Sequence, residues 1–97
     1  MPDQFSRTRR LLGDAALEKL RRARVAVFGI GGVGGYAVEV LSRSGVGALD
    51  LIDSDKVCVT NINRQIYALL STVGQYKVDV AQARIGDINP ECQVRTY

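Results

Sequence analysis

The sequence has no histidine and no tryptophan, and only two cysteines and two prolines in 97 residues. Cys58 and Cys92 stand 34 positions apart, with no C-x-x-C pair. Without histidine they offer neither zinc-ligand spacing nor a redox pair, and they read as two buried free thiols. No apolar run approaches the length of a membrane span, and the polar N-terminus has no apolar signal core. Both absences point to a cytoplasmic protein with no membrane partner. Repeats, low-complexity tracts and internal linkers are missing too. The composition that remains, 46% hydrophobic and 24% charged, suits one small globular domain.

Charge is unevenly placed. Residues 1–24 carry seven basic and three acidic residues, a net +4, whereas residues 25–97 carry six basic and seven acidic, a net −1. A basic arm on a near-neutral body fits an anionic partner such as nucleic acid, and it fits a solvated surface as well.

The informative stretch runs from Arg24 to Asp53. Val25 to Phe28 is an unbroken apolar run, expected as a strand buried on both faces. Gly29, Gly31 and Gly34 follow in the spacing G-x-G-x-x-G. Tyr36 to Ser44 is helical in period, with Ala37, Val38, Val40 and Leu41 as its apolar face and Gly45 as its stop. A second strand, Ala48 to Asp53, ends in an acid 19 residues after Gly34. In such a unit Gly29 makes the turn, Gly31 lets backbone approach a phosphate, and Gly34 packs helix on strand. The free N–H groups at the helix start face the phosphates, and Asp53 can accept ribose hydroxyls.

Elsewhere the pattern is coarser. Asp14 reads as the N-cap of a short helix carrying Ala16, Leu17 and Leu20 inward, after an arm without clear periodicity. Beyond Asp53 a polar loop holds Asn61, Asn63, Arg64 and Gln65, side chains able to contact phosphate just past a strand's carboxyl end, and Ile66 to Leu70 reads as one helical turn. Lys77 opens a helix with Val78, Ala81, Ile85 and Ile88 on one face, stopped by Asn89-Pro90, and Gln93 to Tyr97 reads as a third strand. The fold class expected is α/β: the N-terminal half of a doubly wound parallel sheet, strand order 3-2-1, with an N-terminal helical arm. Residues 1–23 form the arm and helix, and residues 24–97 the nucleotide-binding half domain. Nothing in these residues covers the free edge of the first strand, so a longer protein and self-association are expected.

The glycines and Asp53 fit NAD, FAD or ATP alike. Arg64 and Lys77, 11 and 24 residues beyond Asp53, favour ATP. Two cations above the strand end would stabilise charge developing on a phosphate during carboxylate attack, and a hydride-transfer site has little use for them. An NAD- or FAD-binding oxidoreductase domain stays as the alternative from another class, and a non-catalytic dimerisation module as a further one.

Gly29-Ile30-Gly31-Gly32-Val33-Gly34, Asp53-Ser54-Asp55, Thr60-Asn61-Ile62-Asn63-Arg64-Gln65 and Val73-Gly74-Gln75-Tyr76-Lys77 together resemble the adenylating domain of ubiquitin-activating enzymes and bacterial sulfur-carrier adenylyltransferases. Phe5-Ser6-Arg7-Thr8 and the wording from Val57 to Gln65 resemble most the branch that acts on a threonylcarbamoyl-modified adenosine in the tRNA anticodon loop. The resemblance implies that Gly32 and its neighbours hold the ATP phosphates and that Asp53 binds the ribose, with Asp55 in the same set. It further implies that Asn61, Asn63 and Arg64 line the phosphate site and that Lys77 contacts the phosphates. Arg7 would reach into a partner subunit's site, making the working unit a homodimer. ATP would activate the threonyl carboxylate, and the carbamoyl group would then close a ring with loss of water. Activation of a sulfur-carrier protein's C-terminus is the alternative within the same superfamily. Mg2+ is implied as well, with its aspartate ligand placed beyond Tyr97. Tyr67 stands where relatives carry histidine, a departure for which the sequence offers no physical account.

Overall fold

Three short strands are laid side by side because each helix between them returns the chain over the same face. The computed structural model describes residues 3–97. Its elements are α1 (Ser6–Leu12), α2 (Asp14–Arg22), β1 (Arg24–Phe28), α3 (Gly32–Ser44), β2 (Ala48–Ile52), α4 (Lys77–Ile88) and β3 (Gln93–Thr96). A single 3-10 turn covers Val59–Asn61. The sheet is parallel throughout in the order β1-β2-β3, so the expected 3-2-1 arrangement holds. Val25 pairs with Leu49 and Leu49 with Val94, which puts the apolar residues of all three strands on one face.

Against that face lie α3 and α4. Right-handed crossovers place both helices on the same side of the sheet. The core joins Val38 of α3, Ala81 and Ile85 of α4, and Leu49 and Leu51 of β2. Each fully buried leucine of β2 contributes about 1.5–3 kcal/mol relative to exposure. Val78, Ala81 and Ile85 line the inner face of α4, as their spacing implies.

The other face of the sheet is bare, and this corrects the reading of β1 as buried on both sides. Its residues alternate exposed and half-buried, and Phe28 is 79% exposed. Both crossovers cover one face only, so Ala26, Phe28, Asp50 and Ile52 share a face that no described element covers. A bidentate ion pair crosses it, Arg24 Nε and Nη2 donating to Asp50 at 2.7 and 2.9 Å. That pair holds the Asp50 carboxyl below its ordinary range.

Four further expectations are corrected. Within the expected helical arm α1 precedes Gly13, but Gly13 rather than Asp14 is the residue before α2; Asp14 is the first residue of that helix and pairs with Arg9 at 2.9 Å. Helix α3 starts at Gly32, four residues early, because glycine can enter the first turn close to β1. The inner face of the packed helix is Gly35, Val38, Glu39 and Ser42, and Val40 is left 60% exposed. Ile66 to Leu70 forms turns rather than a helical turn of its own. Cys58 is exposed while Cys92 is buried. Glu39, buried on α3, accepts from Arg84 at 2.8 and 3.0 Å and from Arg43 at 2.9 Å, riveting α3 to α4. Those hydrogen bonds, Arg84's first, hold its carboxyl below the ordinary range against the desolvation that opposes it. Among the described residues no helix is long and apolar enough to cross a membrane.

Candidate functional site

The carboxyl ends of β1 and β2 meet at the glycine turn. Gly29 has φ +80°, a left-handed conformation that side chains resist, and its N–H donates to the Ile52 carbonyl at 2.8 Å. A Cβ on Gly34 would overlap the Gly29 carbonyl, so that glycine is required for α3 to approach the strand end. Gly31 precedes the helix as its N-cap, and no side chain caps it. At Gly32 an added Cβ would meet nothing within 4 Å. The helix start is thus uncapped and open, the form in which backbone N–H groups receive an anion.

Asp53 ties this turn to the end of β2. Its Oδ2 accepts from the Ile30 N–H at 3.0 Å and its Oδ1 from the Asp55 N–H at 2.8 Å. Each oxygen keeps a second lone pair for a ligand hydroxyl. The Asp55 carbonyl accepts from the Lys77 N–H at 3.0 Å, and an antiparallel bridge pairs Lys56 with Tyr76. Asp53, Asp55 and the start of α4 therefore form one connected frame beside the glycine turn. Lys77 is only 7% exposed, yet its ammonium has no hydrogen bond or ion pair among the described residues.

The polar loop is built in layers. Asn61 is buried, and its Oδ1 accepts the Cys58 N–H at 2.9 Å, so its carbonyl side chain holds the loop together. Arg64 and Asn63 are exposed neighbours: Arg64 Nη1 donates to Asn63 Oδ1 at 2.9 Å and to the Thr60 carbonyl at 3.2 Å. Gln65 comes to the glycine turn, its Nε2 3.4 Å from the point a Cβ on Gly31 would occupy. Two residues on, the Tyr67 hydroxyl donates to the Gly35 carbonyl at 3.0 Å. Burial pushes that hydroxyl's pKa well up, keeping it a donor.

Arg7 is not among the residues brought together. Helix α1 begins at the other end of the sheet, where Phe5 packs on Gly45 and Gln4 reaches the Ile88 carbonyl. Arg7 is exposed and makes no hydrogen bond or ion pair among the described residues. Much of the basic arm is paired internally: Arg9 with Asp3 and Asp14, Arg21 and Arg22 with Glu18, Arg24 with Asp50.

Sequence reasoning missed Glu39 with Arg84 and Tyr67 as a structural contact. Gln65 it did name among the loop side chains able to contact phosphate, and the structure sets it beside Gly31. Partners 32 and 45 positions apart, Gly35–Tyr67 and Glu39–Arg84, leave no local pattern.

Residues 5–97 match the model of the ThiF family. The chain belongs to the ThiF family. Among the ThiF-like proteins similar to it is tRNA threonylcarbamoyladenosine dehydratase of Bacillus subtilis, 58% identical over 94 residues, covering 97% of this chain and 37% of that protein. Escherichia coli tRNA N6-threonylcarbamoyladenosine dehydratase, solved in complex with ATP, superposes with a TM-score of 0.95 at 52% identity, covering 97% of this chain and 39% of that one. An adenylyltransferase and sulfurtransferase of Lodderomyces elongisporus is 40% identical over 82 residues, covering 84% of this chain and 18% of that protein. The chain thus spans well under half the length of each.

Proposed function

We propose that this chain is the nucleotide-binding part of an ATP-dependent enzyme that dehydrates threonylcarbamoyladenosine in tRNA. The observation that carries the choice of substrate is its higher identity to the dehydratase than to the sulfur-carrier adenylyltransferase. The nucleotide reading is supported by the open, uncapped start of α3 and by the Asp53 frame beside it. An NAD- or FAD-binding domain has no comparable support.

In this reading Gly29, Gly31, Gly32 and Gly34 shape the turn whose N–H groups hold the phosphates. Asp53 takes ribose hydroxyls on its free lone pairs, and Asp55 holds the start of α4 in place through its backbone. Lys77, whose ammonium has no partner among the described residues, supplies a positive charge; the exposed Arg64 supplies a second, with Asn63 and Asn61 shaping its loop. Bound ATP supplies the electrophilic phosphorus that activates a carboxylate. Arg7, exposed and unpaired at the far end of the sheet, would serve a partner subunit's site, so the unit is a homodimer. Among the described residues no group of three or more histidine, cysteine or acidic side chains is placed to hold a metal ion.

The test is mass spectrometry of tRNA carrying threonylcarbamoyladenosine after incubation with the full-length protein. Loss of one water from the nucleoside, strictly dependent on ATP, is expected. Lys77→Ala and Arg64→Ala should each lower turnover by about a hundredfold, at an unchanged melting temperature. Unaltered turnover in both variants would overturn the roles, and binding of NADH in place of ATP would overturn the reading.

A further inference from the structure

Tyr67 is 3% exposed, and among the described residues its only side-chain hydrogen bond is the 3.0 Å one to the Gly35 carbonyl in the first turn of α3. The ring and Gly35 are fitted to each other: a Cβ on Gly35 would lie 3.2 Å from Tyr67 Cε2. The backbone on both sides of Tyr67 is fixed as well. Thr72 Oγ1 lies 2.6 Å from the Tyr67 carbonyl, and the N–H groups of Gln65 and Ala68 donate to Asn61 and Gln65 at 2.9 and 3.0 Å. The ring therefore anchors a stiff loop rather than the end of a loose one.

The near side of that loop presents Gln65. Gln65 is a partly exposed residue whose side-chain amide makes no hydrogen bond among the described residues, and its Nε2 rests beside Gly31. A donor held without a partner next to an uncapped helix start is placed to take an anionic oxygen.

We propose that Tyr67 is a positioning residue of the nucleotide site: by docking the loop on α3 it sets the Gln65 amide to donate to a phosphate oxygen beside Gly31. This rests on the nucleotide reading above. It gives the tyrosine a role in ligand binding that needs only its hydroxyl, and Gln65 a contact of its own.

The test is calorimetric ATP binding to the full-length protein as wild type, Tyr67→Phe, Gln65→Ala and the double variant. Tyr67→Phe removes one oxygen and should weaken ATP about fivefold, the worth of one buried hydrogen bond. Gln65→Ala should weaken it by about as much or more. In the double variant Tyr67→Phe should add nothing, because its effect passes through Gln65. Wild-type affinity in Tyr67→Phe would overturn the proposal. So would an equal loss from Tyr67→Phe in both backgrounds, which is what a general weakening of the fold gives. Should Tyr67→Phe fail to fold, undiminished affinity in Gln65→Ala, whose side chain bonds to nothing here, overturns it alone. If the wild type itself does not bind ATP, the functional reading has failed instead.

Discussion

The two ends of the sheet are closed by the same device, but only one of them leaves room beside it. At the end near α2, a Cβ on Gly47 would overlap the Arg21 carbonyl, and the Gly47 N–H donates to Leu20 at 3.1 Å. At the opposite end Gly34 stands in the same relation to the Gly29 carbonyl. Both glycines let backbone meet backbone. Gly32 is different: nothing lies within 4 Å of where its Cβ would be. A glycine crowded by its own chain reports on packing. One with open space at an uncapped helix start is free to report on something outside the chain.

The comparison is broken or sharpened by substitution at each end. The largest effect is expected from Gly34→Ala and Gly47→Ala, each destabilising the full-length protein by about 3 kcal/mol or more in denaturant unfolding, since backbone must move. A loss at one end only would break the symmetry between them. Gly32→Ala should do the reverse of both. It should leave stability unchanged or raise it by about 0.5–1 kcal/mol, since alanine suits a helix better, while weakening ATP binding about tenfold. Calorimetry showing full affinity would remove the ligand from the comparison.

The smallest effect concerns the helix layer that both ends share. Glu39 is held in its charged form by Arg84 and then Arg43, so its folded pKa lies below the ordinary 4.5. A lowered carboxylate pKa contributes stability above the unfolded value, and that contribution is lost as pH falls through the folded one. The melting temperature should therefore drop as pH falls from the ordinary 4.5 through the lower folded value, and Glu39→Gln should flatten part of that drop. An unchanged pH profile in the variant would remove the rivet between α3 and α4 from the stability of the layer.

Some of this was written in the chain itself. The G-x-G-x-x-G spacing with Asp53 at a strand tip, the alternation of strand and helix, and the inner face of α4 follow from local periodicity and from what glycine alone permits. So did the placing of Lys77 at the start of a helix, since Asn89-Pro90 bounded that helix at its other end. Tertiary structure decided the rest. The apolar run Val25–Phe28 does not say which of its faces is covered; that depends on the hand of two crossovers. Whether Asn61 turns inward to cap its loop, whether Glu39 can be buried, and what Tyr67 touches each depend on a partner tens of residues away or on the path of the turn. Short-range pattern encodes which element forms and where it stops, whereas burial and pairing are properties of how the elements pack.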